Sequence, residues 1–165
     1  MTSPAPKRPV LTPWRSVAAV VLLTGFVALA APAARDAVLR SRAREAAADL
    51  RVFAGVFRDQ ALRAGDWPAG DGTPAAIPAG MESLLATTAW STPSPLGGHY
   101  TWDPDAVHQG SRHRAALSIV TTPGSSVSND VRQLAALDRE LDDGDLGSGN
   151  FLLGHRNHPI LVLEH

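Results

Sequence analysis

The apolar and polar positions of this chain change rhythm three times. Residues Val17 to Ala34 form one run without a charged side chain. From Ala33 to Ala64 the apolar positions become periodic. Leu50, Phe53, Ala54, Phe57 and Ala61 recur at spacings of three and four, the stripe of a helix with one buried face. Arg51, Arg58, Asp59 and Arg63 lie off that stripe and belong in water. The segment is rich in Ala, Arg, Leu and Glu, which favour helix. Gly65 supplies a stop and Pro68 forbids continuation. No linker separates run from stripe. Together they predict one long helix, apolar first and amphipathic after, that Pro32 kinks or divides.

After Gly65 the periodicity fades. Residues Ala69 to Gly98 carry many Gly, Pro, Ser and Thr and read as loop, with Met81 to Leu85 as one helical turn and Trp90 as an anchor. His99 to Asp103 then alternates polar with aromatic residues, the period of a half-buried strand, and Pro104 is expected to end it. Asp103 to Gly110 reads as a hairpin loop, and Arg114 to Val120 as the next strand, with Leu117 and Ile119 on one face. Ser128, Asn129 and Asp130 offer helix caps ahead of Val131, Leu134, Leu137 and Leu141, again at helical spacing. Phe151 to Leu153 and Ile160 to Leu163 are the last strands, joined by a turn from Gly154 to Pro159. The predicted fold class is α+β: a long N-terminal helix packed on a small antiparallel sheet, with a short second helix.

Composition changes this picture little. The chain of 165 residues has room for one globular domain, and without its first ~30 residues it still leaves enough to bury a core. A formal net charge of -1 argues against a nucleic-acid partner. The absence of cysteine excludes a disulfide framework and a thiolate zinc site.

The N-terminal run admits two readings from its residues. It is about 18 residues long, against the ~20 that span a ~30 Å hydrocarbon core, with Trp14 at an interfacial position. That describes a single transmembrane anchor. Alternatively, the basic stretch Lys7 to Arg15, the apolar stretch Val17 to Val27 and the small-x-small triplet Ala28-Leu29-Ala30 describe a secretory signal cut after Ala30. Lys7, Arg8 and Arg15 precede the run, and Arg35, Arg40, Arg42 and Arg44 follow it, so flanking charge does not fix orientation. The short basic leader favours a cytoplasmic N-terminus.

The basic Lys7-Arg8, the apolar run with its late Pro32, the amphipathic continuation and the exit Gly65-Asp66-Trp67-Pro68 together resemble type IV pilins and type II secretion pseudopilins. With Pro32 laid on the family's proline, Leu11-Thr12-Pro13-Trp14-Arg15 falls on the family's processing and assembly segment. Thr12 matches, and Leu11 is an apolar substitute. Val10 stands where the leader glycine precedes the cut, Pro13 interrupts the run, and Arg15 reverses the charge of a glutamate. The resemblance lies in architecture, with a degenerate leader motif.

It implies residues 1–16 as leader or cytoplasmic tail, 17–34 as transmembrane segment and 35–165 as head. It further implies a non-enzymatic, single-pass inner-membrane subunit with a periplasmic or extracellular head, and Val10, Leu11 and Arg15 as processing and assembly positions. Its partners would be the membrane and other pilin-like subunits or a secretion machinery. The competing expectation is an exported periplasmic binding module released after Ala30.

Candidate chemistry is sparse. Asp142, Asp143 and Asp145, with Asn150 nearby, offer oxygen ligands for calcium, and some pseudopilins hold calcium in a C-terminal loop. The spacing is not that of an EF-hand, and turn-forming aspartates are the plainer reading. The six histidines show no His-Glu-x-x-His run and are read as surface groups. No Gly-x-Ser-x-Gly elbow or phosphate-binding loop is present, and no enzyme activity or cofactor is expected. Trp67, Trp90 and Trp102 are expected as core or loop anchors.

Overall fold

A computed structural model describes the backbone of residues 13–108 and 110–165 and the side chains from Pro32 onward, Gln109 excepted. Contacts divide the chain into Met1–Val38 and Leu39–His165.

Helix α1 spans Pro13–Ala64 as one element, with Pro32 inside it rather than at a break. The Gly65 N–H bonds to the Ala61 carbonyl at 2.8 Å, and Gly65 turns the chain with φ of 80°, which closes the helix as its sequence predicts. Within Leu39–His165 the buried face of α1 is Ala43, Ala46, Ala47, Leu50, Phe53, Ala54 and Phe57. The first three carry only a methyl group, so other elements can approach the helix closely there.

Four strands follow: β1 (His99–His108), β2 (Ser111–Val120), β3 (Phe151–Leu153) and β4 (Pro159–Glu164). They form one antiparallel sheet in the order β1-β2-β4-β3. Two short helices, α2 (Glu82–Leu85) and α3 (Val131–Leu141), complete the α+β fold. Asp130 caps α3 by accepting a bond from the Arg132 N–H at 3.0 Å.

The core lies between α1 and the sheet. Phe53 meets Trp90 and Tyr100 edge-on, at centroid distances of 5.1 and 4.7 Å, and Phe57 stacks on Trp102 at 4.3 Å. Trp90 and Trp102 are buried, and each indole N–H finds a carbonyl, that of Ala76 and of Pro68 respectively. Trp67 is half-buried against this cluster and donates its indole N–H to Glu164. All three therefore anchor core or loop, as expected.

One expectation fails. Pro104 does not end β1; the strand runs on to His108, and β2 begins at Ser111. The expected Asp103–Gly110 loop is mostly strand. The cause is position, because β1 is an edge strand and an edge proline need not donate to a ladder.

Among the described residues, no helix is long and apolar enough to cross a membrane. The run from Val17 to Ala31, with Ala30 and the side chain of Arg15, lies outside the described side chains, and Val10 and Leu11 lie outside the described residues.

Candidate functional site

The connection between α3 and β3 gathers the acidic residues singled out in the sequence. It is a nest of aspartate-capped turns. Asp143 accepts from the Asp145 N–H through Oδ1 and from the Ser148 hydroxyl through Oδ2, both at 2.8 Å. Asp145 Oδ1 accepts from the Gly147 N–H at 3.1 Å. Asp142 Oδ2 accepts from the N–H groups of Asn150 and Phe151, which ties the end of α3 to the start of β3. These bonds hold the Asp143 carboxyl below the usual carboxylate range, the Asp145 amide contributing most.

The converging set differs from the one read in the sequence. Oxygens of Asp138, Asp142 and Asp143 lie within 4.8 Å of one another. Asp145 is not in that set, and Asn150 turns its amide oxygen to His165 at 3.2 Å. Asp138 is fully buried on α3, and neither of its carboxylate oxygens has a well-formed hydrogen bond, the Gly144 amide being its nearest donor in effect. Burial pushes its carboxyl above the usual range. The charges of Asp143, Asp142 and Asp145 add to that rise, against the pull of the Gly144 amide. A buried carboxylate without a well-formed hydrogen bond is costly, and a hard cation held by oxygens offsets that cost. The signal was present in the sequence: Asp138 sits four residues after Leu134, on the apolar stripe of α3.

The other polar constellation lies at the far end of α1. Arg114 donates to Glu164 at 2.9 Å and to Asp66 at 2.8 Å, so one guanidinium joins the helix exit to β4. With Arg58, Leu62 and Trp67 these residues line an open cleft of about 320 Å³. The Asp66 carboxyl is pulled down by the Trp67 N–H and then by Arg114. The charges there satisfy one another and present no nucleophile beside a base.

His155 and His165 are exposed, as the surface reading expects, whereas His113 departs from it. His113 is 2% exposed, and the Nε2 atoms of His108 and His113 are buried without partners. Comparison of the chain with protein families, curated proteins and solved structures returns no match.

Proposed function

We propose that this chain is a membrane-anchored structural subunit of the pseudopilin or minor-pilin kind, acting in a secretion or filament assembly. One observation carries the reading. A single helix, Pro13–Ala64, contains the uncharged sequence from Val17 to Ala34 and then a second half that supplies one wall of an α+β core. A subunit that packs through an apolar helix and displays a small head needs that division of labour. Asp130, Asp142, Asp143 and Arg114 serve caps, turns and strand ties, which suits a structural role.

The chain lacks cysteine, so a single cysteine placed between Val17 and Ala34 is a clean reporter. In native membranes such variants should form disulfide dimers with a helical dependence on position. Cross-linking that is absent at every position would overturn the assembly role.

The calcium reading belongs to this proposal in a revised form. Asp138, Asp142 and Asp143 are the ligands, and the ion joins the end of α3 to β3. The buried Asp138, without a well-formed hydrogen bond, favours it.

A further inference from the structure

Sheet residues that alternate with the core positions face away from α1. Asp103 and Ser118 alternate with the core residues Trp102 and Leu117, and Ser118 donates its hydroxyl to Asp103 at 2.5 Å. Ala116, Ile160 and Val162 form a second, separate apolar cluster with Leu152. Beside these groups stands a row of imidazoles. His108 and His113 lie near-parallel with centroids 6.0 Å apart, and His113 meets His165 at 5.2 Å. The Nδ1 atoms of His113 and His165 are 3.2 Å apart, and His165 Nε2 is 3.2 Å from Asn150 Oδ1.

One assignment of protons satisfies both contacts. His165 donates its Nε2–H to Asn150, which leaves its Nδ1 bare to accept the Nδ1–H of His113. The Asn150 carbonyl in turn accepts from the Val162 N–H at 2.7 Å. The chain of bonds runs from β2 through the end of β4 to the residue before β3. It requires both imidazoles to be neutral. A proton added to His165 would set N–H against N–H across 3.2 Å, or force the His113 proton onto Nε2 to free its Nδ1 as acceptor. A proton added to His113 would create an N–H at its Nε2, which is buried with no acceptor.

We propose that His108, His113 and His165 form an acid-sensitive latch that ties the C-terminal end of β4 to β2 and Asn150 at neutral pH and releases it in acid. Other ionisable groups near the row are Asp103, whose Oδ2 is 3.8 Å from His108 Nε2, His158, whose Nε2 accepts from the Thr121 N–H at 3.3 Å, His155 and Arg156 close to His158, and Arg112, which pairs with Asp105 at 3.5 Å. Arg114 and Glu164, the chain neighbours of His113 and His165, pair with each other and with Asp66 and Trp67. Among the described residues, Asp103 is the carboxylate paired with an imidazole of the row, and that imidazole is His108 rather than His113 or His165.

The burial and charges around His113 act in the same direction. Burial, then the nearness of His165 and His108, holds the His113 imidazole below its ordinary value near 6.5. A histidine depressed in the folded state binds fewer protons than in the unfolded chain. Its contribution is intact above about 6.5 and is lost as pH falls toward the folded value.

The test uses the full chain in detergent micelles. Histidine ring signals are followed by NMR, and hydrogen exchange of residues 159–165 by mass spectrometry, between pH 7.5 and 5.5. His113 should titrate below 6.5, and protection of β4, corrected for intrinsic exchange, should fall between about 6.5 and that folded-state midpoint. The fall should be about tenfold for each unit of depression. His113→Phe and the surface variant His165→Gln should each remove the response, whereas His158→Gln should keep it. The latch is overturned by a His113 that titrates at 6.5 or above, by β4 protection that does not change, or by a response that survives in both His113→Phe and His165→Gln.

Discussion

At the scale of single residues, two buried side chains carry the sharpest consequences. Phe57 has no exposed surface and stacks on Trp102. Phe57→Ala should cost about 3–5 kcal/mol in denaturant melts, a large part of a typical domain's stability. Asp138 makes a prediction of crossing sign. Its carboxyl is raised in the folded state, so its contribution is greatest below the ordinary carboxylate value and is lost as pH rises through the folded value. At pH 7 without divalent ions, Asp138→Asn should therefore melt above the natural chain. Calcium at about a hundredfold its Kd should raise the natural chain by about 2.7 kcal/mol, several degrees, and leave the variant unmoved. Equal responses would remove the ion site.

The sequence made the acidic loop visible but not its ligand set. Asp142, Asp143 and Asp145 are neighbours in the chain, whereas Asp138 joins Asp142 and Asp143 only because α3 ends where it does. Likewise, His108, His113 and His165 are brought together only by the order of β1, β2 and β4. Counting histidines along the chain shows nothing of that.

At the scale of elements, helices were easier to read than strand ends. The stripe of α1, the cap and extent of α3 and the single turn of α2 follow from local spacing and capping chemistry, which a sequence displays directly. The continuation of β1 through Pro104 depends on β1 lying at the sheet edge, a fact of topology. The loop before β1 is held just as firmly. Gly98 has φ of 70°, and a Cβ there would lie 2.4 Å from the Val120 carbonyl oxygen. Gly98→Ala should lower stability by at least about 1–3 kcal/mol from backbone strain alone, read as a drop in melting temperature. Asp130→Ala, which removes the α3 cap and the exposed pairing with Arg132, should cost about 1 kcal/mol in the same assay.

At the scale of the whole molecule, the α+β class and the amphipathic helix over residues 32–64 beside an antiparallel sheet agree with the sequence reading, because each rests on periodicity over many residues, while the apolar half of the predicted helix lies outside the described side chains. The function proposed for the chain depends on the fate of the apolar run from Val17 to Ala34, which no property of the head determines. The most direct measurement is fractionation of cells producing the chain, followed by N-terminal sequencing of the mature product. The membrane-anchored reading predicts a product in the membrane fraction that retains Val17 to Ala34, uncut or cut near Val10. A soluble product that begins at Ala31 would contradict it and identify an exported module instead.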